Sequence, residues 1–175
     1  MPVMSDGIKT LAENGDPGYS MSMRKHLRRL ERVWIDRPIY FITTCTLTRR
    51  PILASKEVAK ILTDEWRSAH DRHGWAIGRY VIMPDHVHFF CSAELGAKTL
   101  PAFMQMWKQW TSKRMARELN LNGNVWQAEF FDHVLRSSES YSQKWDYVKE
   151  NAVRAGLVVS ADHWQWHGEI ESLML

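Results

Sequence analysis

Apolar and polar positions change rhythm several times along this chain, and each change predicts a new element. Pro38 to Thr46 (PIYFITTCT) is β-branched and aromatic, the composition of a first strand. Ser55 is a helix-capping residue, and Val58, Ile61, Leu62, Trp66 and Ala69 follow at helical spacing. That predicts a helix to about Arg72, ended by Gly74. Trp75 to Met83 predicts a second strand, Pro84-Asp85 a turn, and His86 to Cys91 a third strand pairing with the second as a hairpin. From Thr99, with Pro101 in the first turn, a helix runs to about Leu119. The run Asn120-Leu121-Asn122-Gly123-Asn124 breaks it, and Val125–Gln127 and Phe130–Arg136 are short strand-like pieces. Ser137-Ser138 opens a last helix holding Tyr141, Trp145, Tyr147, Val148 and Asn151 and ending near Gly156. Trp164 and Trp166 alternate like a short strand or a packed tail, with a base-stacking role as the competing reading. Residues 1–22, rich in Gly, Ser, Met and Asp, have no periodicity and are expected to be a flexible tail ahead of a single domain over 23–175. Strand, helix, strand, strand, helix, strand, helix suits an α+β sandwich, an antiparallel sheet flanked by helices.

Composition narrows the class. A chain of 175 residues, 45% hydrophobic and with nine tryptophans, can bury one good core. The net charge is only +3, but basic residues cluster at Arg24–Arg29 (with Arg28 and Arg29), at Arg49-Arg50 and from Lys108 to Arg117. Such clusters are either phosphate-binding patches or solvated faces. Cys45 and Cys91 are far apart in sequence, which suits reduced thiols. No run approaches the roughly 18 apolar residues of a membrane span, so a soluble, cytoplasmic protein is expected.

The candidate chemistry starts at Met83-Pro84-Asp85-His86-Val87-His88. Alternation on a strand puts His86 and His88 on one face and Val87 on the other, so two imidazoles can grip one divalent metal. The last helix offers what the pair lacks. Tyr147 and Asn151 are four residues apart on one helical face, with Arg154 a turn further along. If that face packs on the histidines, Asn151 can lend an amide oxygen to the metal and Tyr147 a phenol beside it. Mixed N/O ligands suit Mg²⁺ or Mn²⁺, and imidazoles also accommodate Zn²⁺. A phenol next to a metal-polarised phosphodiester is a nucleophile that would form a covalent phosphotyrosine. Tyr141 is the competing nucleophile, about 240° around the helix from Tyr147 and without an amide four residues on. Asp85 and Glu129 could add a carboxylate to the site, although Asp85 reads first as a turn-former, and Asp132 and His133 read as either strand-end hydrogen bonds or DNA contacts.

Pro84-Asp85-His86-Val87-His88 resembles the motif of single-tyrosine HUH endonucleases. Val125-Trp126-Gln127-Ala128-Glu129-Phe130-Phe131-Asp132-His133-Val134-Leu135-Arg136, followed by the stretch from Trp145 to Val158, is similar to the REP-associated tyrosine transposases. The resemblance runs from about Leu30 to Gly168. It implies a ferredoxin-like palm with the histidines on a central strand, Tyr147 as nucleophile, and His86, His88 and Asn151 as metal ligands. It also implies a partner, single-stranded DNA folded into palindromic REP-like hairpins that are cut and rejoined through a 5′-phosphotyrosine. One departure stands out. The family commonly has Asn-Pro where this chain has Asn151-Ala152, and Ala152 is expected to let the helix continue.

The resulting expectation is a metal-dependent single-strand endonuclease and strand transferase, acting as a monomer with a dimer as the alternative, with Arg28, Arg29, Lys108, Lys113, Arg117 and Arg154 reaching DNA. The alternatives are a domesticated hairpin-binding protein that no longer cleaves, and, behind it, a zinc hydrolase.

Overall fold

The computed structural model describes residues 37–173, which lie within one compact unit, residues 33–175. The tail expected over residues 1–22, and with it Arg28 and Arg29, lies outside the described residues. Five strands form one antiparallel sheet: β1 (Ile39–Cys45), β2 (Trp75–Ile82), β3 (His86–Ala93), β4 (Phe131–Leu135) and β5 (His167–Glu169). Their spatial order is β4-β1-β3-β2-β5. The helices are α1 (Lys56–Arg67), α2 (Ala69–His73), α3 (Leu100–Leu119), α4 (Ser138–Lys149) and α5 (Asn151–Arg154). The first four strands with α1 and α3 make the β-α-β-β-α-β path of a ferredoxin-like palm, and β5 extends it beside β2.

Strand alternation divides the core in two. Ile42, Val87, Phe89 and Cys91 face the layer of α1 and α3, where Val58, Ile61, Leu62, Trp66, Phe103 and Trp107 close over them. The Trp66 and Trp107 rings stack there, 5.5 Å apart and 4° from parallel. Ile39, Phe41, Val81 and Phe90 face the other way, into a smaller core with Leu135, Tyr141, Val148, Ala152 and Trp164. That second layer is α4, α5 and the chain after them.

Local chemistry sets the boundaries. The Ser55 and Ser137 side chains accept hydrogen bonds from the Val58 and Ser140 amides and start α1 and α4. Gly74 ends α2 with φ +74°, and a Cβ there would meet Ala97 at 2.9 Å, so only glycine closes this turn. The expected single helix from Ser55 to Arg72 is interrupted at Ser68, and the last helix is likewise two pieces separated at Glu150. Replacing the proline with Ala152 therefore does not give a continuous helix. Glu150, with φ −77° and ψ −1°, caps α4 and starts α5, and Ala152 is fully buried in the second core. β5 was not expected as a strand. His167-Gly168-Glu169 has no apolar alternation of its own and is extended because it pairs with Arg79–Val81 of β2.

The two helices under the large core are joined by ions. Arg114 of α3 reaches Asp64 and Glu65 of α1 at 3.3 Å each, and Glu118 of its own helix at 3.0 Å. Lys108, on the same helix, donates to the carbonyls of Gln127, Ala128 and Glu129 at 2.8, 3.0 and 2.9 Å. This ties down the segment that leads into β4. Arg114→Ala removes the tie between the helices while Asp64 keeps Lys60 and Arg67 and Glu65 keeps Arg72, so a stability loss of about 1 kcal/mol is expected in urea unfolding at pH 7, smaller in high salt, where ion pairs are screened.

Candidate active site

One end of the sheet face carrying the second core is left open. Along β3 the residues on this face run from Phe90, fully buried, to His88 and His86, both half-buried. Along β1 they run from Ile39 and Phe41 to Thr43 and Cys45, and along β4 from Leu135 to the exposed His133 and Phe131. Thr43 pairs with His88 on one side and Phe131 on the other, and Cys45 pairs with His86. The helical layer covers the far half of this face, and the histidines line a shelf at its open half.

Both imidazoles are held by their Nδ1 atoms. His86 Nδ1 donates to Asp85 Oδ1 at 2.6 Å, and Asp85 Oδ2 in turn accepts from Arg49 Nε at 2.8 Å. His88 Nδ1 bonds Thr43 Oγ1 at 2.8 Å, and its ring stacks on Phe41 at 5.4 Å. For His86 the carboxylate partner makes Nδ1–H the donor and leaves the Nε2 lone pair, and His88 has the same form when its Nδ1–H donates to the Thr43 hydroxyl. A carboxylate that orients a histidine through the nitrogen away from a metal is the common supporting arrangement for a ligand. The rings lie 4.7 Å apart and nearly perpendicular. Among the described residues no group of three or more His, Cys, Asp or Glu is placed to hold a metal ion, so a further protein donor from them would have to be of another type, such as an amide.

Electrostatics keeps the pair neutral. Burial, then the neighbouring His86, then the positive charges of Lys144, Arg154 and Arg49 push the His88 pKa down to about 3. Burial also lowers His86, against the opposing pull of the Asp85 carboxylate. Neutral imidazole is the form that binds a metal.

Tyr147 is 59% exposed, and two cations lie against its ring. Arg154 Cζ is 4.0 Å from the ring centroid and Lys144 Nζ 5.6 Å, with Lys144 also 4.7 Å over Phe41. Through Lys144 and Phe41 the tyrosine layer meets the ring stacked on His88. Arg154 donates to the Tyr147 carbonyl at 2.6 Å and to Asn151 Oδ1, so one guanidinium holds the backbone of one site residue and the amide of the other. Tyr141, by contrast, is buried edge-on against Phe90 at 4.7 Å, with its pKa raised by burial.

The structure thus brings His86, His88, Tyr147, Asn151 and Arg154 to one side of the sheet. Lys108, Lys113 and Arg117 lie on α3, across the sheet. Lys108 is committed to its three carbonyls, Lys113 sits over Trp110 at 5.2 Å, and Arg117 pairs with Glu118 at 2.6 Å. Trp164 is buried and donates to the Ile82 carbonyl at 3.0 Å, and Trp166 packs between the cores. Sequence reasoning missed three contributors: Asp85 as the orienter of His86, Arg49 behind it, and Lys144 beside Tyr147. A carboxylate directly preceding a candidate histidine ligand was the available signal for the first. Nothing in the linear spacing pointed to the other two.

Residues 36–151 match the family model described as "Transposase IS200 like", and the chain belongs to that family. It is 25% identical over 133 residues to the REP-associated tyrosine transposase of Escherichia coli K12, covering 76% of this chain and 77% of the relative. A REP-associated tyrosine transposase solved bound to a REP hairpin superposes with a TM-score of 0.65 at 21% identity, over 81% of this chain and 82% of that one. A putative transposase from Deinococcus radiodurans R1 superposes at 0.50 with 23% identity, over 70% and 96%. Both solved structures have the fold found here.

His88 makes stability depend on pH in a defined direction. Its folded pKa of about 3 lies below the unfolded value of about 6.5, so the unfolded chain binds the extra proton in between. The contribution is intact above pH 6.5 and is lost progressively as pH falls towards 3, by at most about 1.4 kcal/mol per unit. In urea unfolding at pH 7 and pH 5, His88→Gln should lose less stability than the wild type over that interval. Parallel curves would show that another group governs the acid limb.

Proposed function

We propose that this protein is a metal-dependent single-strand DNA endonuclease and strand transferase that acts on hairpin-forming repeats. Membership of the IS200-like transposases supports the class, and the hairpin-bound relative supports the substrate. The observation that carries the mechanism is the shelf itself: two histidines with lowered pKa values, each engaged through Nδ1, on the side of the sheet whose helical layer carries an exposed tyrosine with Lys144 and Arg154 against its ring.

The donor set fits a divalent cation such as Mg²⁺ or Mn²⁺, with His86 and His88 as ligands and the Asn151 amide as the third. The amide oxygen has two lone pairs, so the bond from Arg154 leaves one available. A cation bound there would polarise the scissile phosphate. Lys144 and Arg154 have no carboxylate partner among the described residues and would receive the phosphate's negative charge. Tyr147 attacks the phosphorus. The Tyr147 Oη–P bond forms as the bond to the 3′ oxygen breaks, the phenol gives up a proton, and the leaving 3′ oxygen takes one up. The 5′-phosphotyrosine keeps the energy of the broken link, so attack by another 3′-hydroxyl rejoins strands without ATP. The chain after α5, with Val158, Trp164 and Trp166 packed on the second core, would hold the tyrosine helix on its own palm and favours action as a monomer.

Incubation with labelled single-stranded hairpin DNA and Mg²⁺ or Mn²⁺ should give an adduct that survives denaturing electrophoresis. Tyr147→Phe and His88→Ala should abolish it, EDTA should prevent it, and Tyr141→Phe should retain it. An adduct that persists in Tyr147→Phe refutes the nucleophile. Tight hairpin binding without adduct under any divalent metal favours a binding protein that has lost cleavage.

A further inference from the structure

Phe131 is a large apolar side chain, 48% exposed, at the start of the edge strand β4. It points to the same face as the histidines, because Phe131 pairs with Thr43 and Thr43 pairs with His88. These three side chains form one row across the shelf, and the ring at its end is uncovered. Two strand spacings separate Phe131 from His88, about 10 Å. Its position is fixed from behind, since Lys108 holds the three carbonyls of Gln127, Ala128 and Glu129 just ahead of it. Exposed His133 follows it on the same face.

We propose that Phe131 is a stacking platform for one unpaired base of the DNA strand, within about three nucleotides of the scissile phosphate. The proposal rests on the DNA-cleaving function above and adds a second anchor for the strand. The shelf is continuous from the histidines to Phe131, so a strand whose phosphate lies at His86 and His88 would pass over the ring as it leaves the sheet edge. An aromatic ring on an open sheet face offers a surface that any base can cover, and a rigidly held edge strand reduces the ordering cost. Lys144 and Arg154 meet the backbone on the helical side, leaving the base for Phe131. The ring therefore contributes affinity and sets which nucleotide is pinned, while the chemistry stays with Tyr147.

The test is binding of a fluorescent single-stranded hairpin oligonucleotide carrying flanking single-stranded arms, in Ca²⁺ or with the Tyr147→Phe protein so that no cleavage intervenes. Phe131→Ala should weaken binding about 5- to 100-fold and Phe131→Trp should preserve it. A set of oligonucleotides, each with one abasic site in the arms, then locates the base. At one position the abasic site should weaken the wild type by a similar factor and leave Phe131→Ala unaffected, while every other position affects both proteins equally. Phe131 lies on the exposed edge, so both variants should keep wild-type melting. Equal affinity of Phe131→Ala and wild type, or additive losses at every abasic position, overturns the platform while the cleavage function stands. So does light scattering that finds a wild-type dimer dissolved by Phe131→Ala, which would make the ring a contact between copies. Wild-type protein that binds no hairpin DNA at all overturns both.

Discussion

Everything at this site depends on β3 having two different faces at the centre of the sheet. A central strand is often apolar on both sides, but β3 is so on one: Val87, Phe89, Cys91 and Ala93 face the large core, while the other face carries His86, His88, Ser92 and, entering the small core, Phe90. Only at its beginning, after the Pro84-Asp85 turn, does one face become imidazole while the other keeps Val87 fully buried. Burial of Val87 fixes the register, because a slip of one residue would drive both histidines into the Trp66–Trp107 core and push Val87 onto the shelf. The position of the two Nε2 atoms is therefore set by hydrophobic packing on the opposite side of the sheet.

Charge distribution follows from that placement. The described carboxylates nearest the shelf are few, and the closest, Asp85, is shared between His86 and Arg49. Lys144 and Arg154 reach aromatic faces and backbone oxygens instead of acids. On α3 the balance is reversed: Arg114 is bound to Asp64 and Glu65 of α1 and to Glu118, and Arg117 pairs with Glu118 of its own helix. Equal numbers of basic residues on the two layers would thus have unequal effects on a polyanion. Local pairing, more than the net charge of +3, decides where phosphate is attracted.

Much of this was legible in the sequence. Strong alternation and helical periodicity marked β1, β2, β3, α1 and α3, and the spacing of His86, Val87 and His88 placed both imidazoles on one face. The four-residue interval between Tyr147 and Asn151 put them on one side of the chain, although the helix between them breaks at Glu150. The illegible parts have a common cause: they are made by tertiary neighbours. β5 is extended only because β2 is beside it. The tie that Arg114 makes to α1 was not visible because its partners Asp64 and Glu65 lie some 50 residues earlier. The Lys108 ammonium was equally free on paper, and in the fold it holds the backbone ahead of β4.

The break at Glu150 alters how the site is kept in order. A continuous helix would fix Tyr147 and Asn151 relative to each other through its own hydrogen-bond ladder. Here the ladder is interrupted between them, and Arg154 spans the gap, touching the Tyr147 ring, the Tyr147 carbonyl and the Asn151 amide. Val148 and Ala152, each buried in the second core, fix the two segments to the sheet independently. Tyr147 and Asn151 are thus positioned by the sheet below and by one guanidinium above. Because guanidinium groups pair with phosphate, a phosphate that reached Arg154 would act on Tyr147 and Asn151 together.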